Sequence, residues 1–137
     1  MPTTNDDAVS LSKRVLVVDD DVPMCEILGH LLEHLGYSVR CTHSAAAALE
    51  VWAQEGDSIS FVFTDVMMPG MDGLTLARLL RQKTSKVPIL LLSGHLNDDS
   101  RWIVSEEGFC FLQKPFTLEE LKGAMSMIAT NGHGVAD

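Results

Sequence analysis

Two short apolar runs that stop on carboxylates constrain this chain more than any other feature. Arg14-Val-Leu-Val-Val18 closes on Asp19-Asp20-Asp21, and Ile59-Ser-Phe-Val-Phe-Thr64 closes on Asp65. Continuous apolar runs of this kind mark strands buried on both faces, as in a parallel sheet covered by helices. In open sheets of that class the ligand site lies just beyond the carboxyl ends of the strands. Two acids at one strand end and one at another therefore converge on a common point. Carboxylates crowded together without a counter-charge repel and cannot all stay ionised cheaply, so the arrangement asks for a cation. Mg²⁺ is the natural candidate, a hard ion that takes oxygen ligands and keeps several waters.

The length of 137 residues suits one domain with a real core. A formal net charge of −9 argues against nucleic-acid phosphate or an anionic membrane surface as a direct partner, because either adds repulsion. A basic protein partner or a substrate cation fits better. The apolar stretches fall short of the roughly 18 residues of a membrane span, and the first seven residues lack the basic start and apolar core of a signal peptide. The expectation is a cytoplasmic protein with no membrane insertion. Three scattered cysteines, Cys25, Cys41 and Cys110, form no Cys-x-x-Cys pair and read as small buried hydrophobes instead of a disulfide framework or zinc site.

Along the chain, short apolar runs alternate with helix-period segments, the pattern of repeated βαβ units. The reading is α/β with five strands, near Arg14–Val18, Ser38–Cys41, Ile59–Thr64, Val87–Leu92 and Phe109–Leu112. Five helices are expected near Pro23–Leu35, Ala45–Gln54, Leu74–Gln82, Asp98–Glu107 and Leu118–Ile128. Pro23 suits a first helical turn, Gly36 a C-terminal stop, Ser44 and Asp72 helix caps, and Thr117 with Glu120 a capping box. The expected organisation is a tail over 1–12, one domain over 13–129 and a second tail over 130–137.

The later strands end on further chemistry. Leu90-Leu-Leu92 runs into Ser93-Gly94, a hydroxyl able to donate to a phosphoryl oxygen, followed by a residue with no side chain to block approach. Phe111-Leu-Gln113 runs into Lys114-Pro115, which sets one ammonium at the last strand end, a compact charge suited to phosphate or carboxylates. Between the third strand and third helix, Val66-Met-Met-Pro-Gly-Met-Asp-Gly73 gives Asp65 a shaped rim.

Together, Val15-Leu-Val-Val-Asp-Asp-Asp, Thr64-Asp-Val-Met-Met-Pro-Gly-Met-Asp-Gly, Leu92-Ser-Gly and Leu112-Gln-Lys-Pro-Phe resemble the receiver domain of two-component response regulators. The match covers nearly all the chain between the tails. The resemblance implies a flavodoxin-like, doubly wound, five-stranded parallel sheet of order 2-1-3-4-5. It implies Asp65 as phosphoacceptor and Asp19, Asp20, Asp65 and the backbone carbonyl of Met67 as the Mg²⁺ ligands. Ser93 matches the switch hydroxyl, Lys114 the phosphate-contacting lysine and Phe111 the switch aromatic. The implied partners are a sensor histidine kinase or a histidine phosphotransfer protein and a downstream protein target, read through helix 4, strand 5 and helix 5. The chain is then a signalling domain and not a turnover enzyme, a monomer or phosphorylation-dependent dimer. It stands alone or comes from a hybrid kinase, with a non-phosphorylated scaffold as the alternative.

Other features weigh less. A flavin binder of the same topology needs a donor-rich phosphate loop where Asp19-Asp20-Asp21 stands. An aspartyl phosphatase of the haloacid-dehalogenase kind meets its spacing with Asp19 and Asp21, but the following Val22-Pro23 does not continue that signature. Neither accounts for Asp65, Ser93 and Lys114 together. Met67, Met68 and Met71 read as loop packing, and His30 with His34 as a solvated helix face. His95 is placed to overhang the site, and Trp102, if exposed, marks a partner surface.

Overall fold

The computed structural model describes residues 13–94 and 102–134. Its elements are β1 (Arg14–Val18), α1 (Val22–His34), β2 (Ser38–Thr42), α2 (Ala45–Glu55), a 3₁₀ turn (Gly56–Ser58) and β3 (Ile59–Asp65). They continue with α3 (Gly73–Lys83), β4 (Ile89–Ser93), β5 (Trp102–Val104), β6 (Cys110–Gln113) and α4 (Leu118–Gly134). The strands form one sheet in the order β2-β1-β3-β4-β6-β5. All neighbours run parallel except β5, which is antiparallel to β6.

Both faces of the sheet are covered, as the unbroken apolar runs require. Val15, Val17, Phe61, Phe63, Leu90, Leu92 and Leu112 point to a core closed by α1 and α4 through Leu28, Leu32, Leu121 and Met125. Their strand neighbours Leu16, Val18, Val62 and Leu91 point to the opposite core, closed by α2 and α3 through Ala48, Val51, Leu76 and Leu80. This period-two division leaves the strand ends as the place where polar groups can gather.

The helices begin where their caps predict. Asp21 accepts from the Met24 N–H, Ser44 from Ala47 and Asp72 from Thr75. Thr117 and Glu120 make both hydrogen bonds of a capping box, at 3.0 and 3.1 Å. Beyond α1, Gly36 takes φ of +100°, which ends the helix at little cost because glycine has no Cβ. The last helix reaches Gly134, past the expected end at Ile128.

The sequence reading fails over its fourth helix, Asp98–Glu107, and with it the count of five helices: four α-helices occur among the described residues. Trp102, Ile103 and Val104 instead pair in register with Leu112, Phe111 and Cys110. A four-residue turn closes the hairpin, with the Ser105 N–H donating to the Phe109 carbonyl, Gly108 N–H to the Ser105 carbonyl, and Gly108 at φ +90°. Arg78 on α3 grips Glu107 through two hydrogen bonds of 2.8 and 3.0 Å. The physical reason is that an aromatic followed by two β-branched residues suits a pleated surface, and a Gly-containing turn folds that run back on the next strand. The first part of the expected helix, with His95, Asp98, Asp99 and Arg101, lies outside the described residues, as does the Trp102 side chain.

Central and edge positions therefore carry unequal weight. Leu91 is fully buried in β4, whereas Ile103 on the edge strand is 39% exposed. Leu91→Ala is expected to destabilise by about 2–5 kcal/mol, and Ile103→Ala by less than about 2 kcal/mol, read from urea midpoints. Equal losses at both positions would contradict this packing.

Candidate metal centre

The acids meet at the carboxyl ends of β1 and β3. Asp19 follows β1 directly and is almost wholly buried. Its backbone N–H donates to the Thr42 carbonyl at 3.0 Å, tying it to β2, and its Oδ1 accepts the Asp21 N–H at 3.0 Å. Asp65 is the last residue of β3 and is also buried, while Asp20 is exposed. One carboxylate oxygen from each of Asp19, Asp20 and Asp65 lies within 4.8 Å of the others. Asp21 turns away to cap α1, so an Asp19-x-Asp21 pair does not face the site.

One cation answers this charge directly. Lys114, just past β6, donates from Nζ to Asp65 Oδ1 at 2.7 Å. Its placement follows from the backbone: Lys114 N–H donates to the Ser93 carbonyl at 2.7 Å, and the Lys114–Pro115 peptide is cis. Among the described residues, a single ammonium against three carboxylates leaves the cluster with an excess of negative charge. Asp19 Oδ2 is buried without a hydrogen-bond partner, a costly state for a carboxylate oxygen. Burial raises the pKa of Asp19, the hydrogen bond from Asp21 opposes that shift, and the charge of Asp65 adds to it. An orphaned oxygen among three clustered carboxylates fits a hard divalent ion such as Mg²⁺.

Gly73 carries a constraint that composition alone does not reveal. A Cβ on it would overlap the Asp65 carbonyl oxygen and stand 2.8 Å from the carbonyl carbon. Only a residue without a side chain lets α3 begin so close to the end of β3, where the Gly73 N–H donates to the Val66 carbonyl at 2.8 Å. Thr42 was also missed; its hydroxyl donates to the Val17 carbonyl and its carbonyl holds Asp19. His43 Nδ1 lies 3.1 Å from the Asp19 carbonyl oxygen. These are contacts between distant segments, for which the sequence offers no local signal.

The remaining expected residues lie around this centre. Ser93 ends β4 in register with Gln113, one step beyond Leu92, which pairs with Asp65. Phe111 is half-buried in β6, on the α2 and α3 face, between Leu91 and Ile103 in register. Met67 is 76% exposed on the rim, while Met68 and Met71 pack against the core.

A largely parallel α/β sheet with acids from two adjacent strand ends and a lysine from a third defines a domain whose strand ends carry an acidic site fit for a hard cation. The sequence profile of the response regulator receiver domain matches residues 15–126, and the chain belongs to that family. It is 40% identical over 116 residues to the response regulator MprA of Mycobacterium tuberculosis, covering 84% of this chain and 50% of that protein. The chain thus spans about half the length of this relative. Among solved structures, a response regulator receiver domain protein from Clostridium thermocellum superposes with a TM-score of 0.76 at 26% identity, covering 90% of this chain and 98% of the other. The response regulator TrrA from Thermotoga maritima, in complex with Mg²⁺ and BeF, gives 0.71 at 28% identity, with coverages of 85% and 98%. Receiver domains bind Mg²⁺ at their acidic site and interact with histidine kinases or phosphotransfer proteins. Among the described residues, no helix is long and apolar enough to cross a membrane.

Two outcomes test this geometry. Above the raised pKa, Asp19 is charged in both states, and the folded state bears the cost of burying it. As pH falls through that pKa toward the ordinary 3.8, the folded state takes the proton first and the cost is relieved. In metal-free buffer at neutral pH, Asp19→Asn is expected to melt above wild type, with the gap closing as pH falls toward 3.8; a pH-independent gap would refute the account. Gly73→Ala is expected to cost about 1–3 kcal/mol by overpacking and to weaken Mg²⁺-dependent stabilisation, both measured by thermal unfolding with and without Mg²⁺.

Proposed function

We propose that this chain is a phosphoacceptor receiver that takes a phosphoryl group from a phosphohistidine donor onto Asp65. The observation that carries the reading is the 2.7 Å contact of Lys114 with Asp65 beside the buried, orphaned carboxylate oxygen of Asp19. Asp19, Asp20, Asp65 and the Met67 carbonyl would hold Mg²⁺. When bound, the ion supplies positive charge against the phosphoryl oxygens.

The chain's own groups account for the rest. Asp65 offers one oxygen to Lys114 and the other to phosphorus. As the new O–P bond forms in line, the P–N bond to the donor imidazole breaks and the imidazole leaves. Lys114 holds the nucleophile in place and stays within reach of an incoming phosphoryl oxygen. Burial of Asp65 limits water around the acyl phosphate, whose hydrolysis ends the signal.

Ser93, one register step from the level of Asp65, is the switch hydroxyl in this reading, and its movement toward the phosphoryl group draws in Phe111. Because Phe111 pairs across the sheet with Ile103, the output surface comprises β6 and α4, the expected strand 5 and helix 5, with the edge strand β5 standing where part of the expected helix 4 was placed. The signal passes to a downstream protein target, and the receiver unit runs past the expected boundary at residue 129 because α4 continues to Gly134. The chain acts as a cytoplasmic signalling domain and not as a turnover enzyme. A net charge of −9 disfavours direct binding to nucleic acid.

Intact mass after incubation with acetyl phosphate and Mg²⁺ tests the assignment. Wild type is expected to gain one phosphoryl group, Asp65→Asn none, and the chelated control none. Lys114→Ala is expected to react at least about tenfold more slowly, a loss of about 1.4 kcal/mol in transition-state stabilisation. An adduct retained in folded Asp65→Asn would move the acceptor elsewhere.

A further inference from the structure

The fold also brings together two thiols that lie far apart in sequence. Cys25 is fully buried in the first half of α1, and Cys41 is an exposed residue of β2. Cys41 Sγ donates to the Cys25 carbonyl at 3.5 Å, while Cys25 Sγ donates to the Thr42 carbonyl at 3.7 Å. One turn along α1, a Cβ on Gly29 would sit 3.6 Å from Cys41 Sγ, so the Cys41 sulfur is turned onto the helix even though the residue as a whole is open to solvent. Cys110, the third cysteine, is buried in β6 and its thiol is pushed up to about 12 by burial. It takes no part in this cluster.

We propose that Cys25 and Cys41 form a redox-modification site that closes to an intramolecular disulfide when the protein meets a hydroperoxide. Cys41 is the entry point because it is the exposed partner, and Cys25 is the resolving thiol. The Cys41 thiolate attacks one peroxide oxygen, the O–O bond breaks, and the departing hydroxide takes a proton to become water. The Cys25 sulfur then attacks Cys41 sulfur, the S–O bond breaks, and the second hydroxide leaves with the Cys25 proton as water. Two thiols lose two electrons in all, and one hydrogen peroxide becomes two waters.

Burial holds the Cys25 thiol above its ordinary range, so its proton leaves only in that final step. The closed bond clasps α1 to β2. The clasp sits next to the acidic loop, since the Thr42 carbonyl that accepts the Cys25 thiol also accepts the Asp19 backbone N–H. Oxidation removes one of those two donors and tethers the helix that leaves the loop. The site stands on the thiol geometry and does not depend on the phosphoacceptor reading.

The test treats the native, fully reduced chain with hydrogen peroxide, then maps peptides without reduction. Oxidation of Met67, which is 76% exposed, to its sulfoxide serves as an internal measure of dose. The expected result is loss of two hydrogens, a Cys25–Cys41 linked peptide, reversal by dithiothreitol, and slower amide exchange over residues 24–28. Cys41→Ser, a change at an exposed position, abolishes the linkage, and Cys110→Ser leaves it intact. The proposal is overturned if Met67 is oxidised while Cys25 and Cys41 remain unlinked. It is equally overturned if Cys41 proceeds to sulfinic acid beside a free Cys25, or if the linkage forms between molecules.

Discussion

Three carboxylates held at the ends of two adjacent strands, with one ammonium to answer them, set the terms for the rest of this structure. Burying Asp19 and Asp65 costs free energy that an exposed loop would avoid. The protein recovers part of it with the Asp21 N–H on Asp19 and the Lys114 ammonium on Asp65. The Asp19 Oδ2 atom is left over. That imbalance suits a hard divalent ion, the kind of ligand that receiver domains bind at their acidic site.

Holding such a site requires a rigid frame, and the two cores supply it. Apolar residues of β1, β3 and β4 alternate between them, so each strand end is fixed from both sides. The loops that carry the chemistry are then short extensions of fixed elements. The close approach of Gly73 to the Asp65 carbonyl pins the start of α3 to the end of β3. The bond from Lys114 N–H to the Ser93 carbonyl does the same for the ends of β6 and β4. Positional precision of this kind is what an in-line phosphoryl transfer uses in place of elaborate acid-base chemistry.

The hairpin of β5 and β6 bears on how the proposed signal would leave the domain. A strand in the place of part of a helix extends the sheet and gives Phe111 a neighbour, Ile103, on an edge that is partly open to solvent. The hairpin turn is tied to α3 by Arg78 and Glu107, whose exposed ion pair contributes more to register than to stability. In the proposed function, movement at Phe111 would be shared with this edge strand, a different mechanical element from a packed helix.

The sequence by itself determined the first four strands, three of the helix caps and the acids that gather at the strand ends, while the order of those strands was implied by the resemblance to receiver domains. Strands, caps and acids follow from local chemistry: a continuous apolar run, a capping side chain three residues before a backbone N–H, or a carboxylate where a buried strand must stop. Only the tertiary structure decided the fate of residues 102–104, because Trp102-Ile103-Val104 has partners on β6 that no local window contains. The steric demand at Gly73, the hold of Thr42 on Asp19 and the meeting of Cys25 with Cys41 are likewise invisible in the chain. Each joins segments that become neighbours only when the sheet forms, so their energies belong to the fold and not to any stretch of sequence.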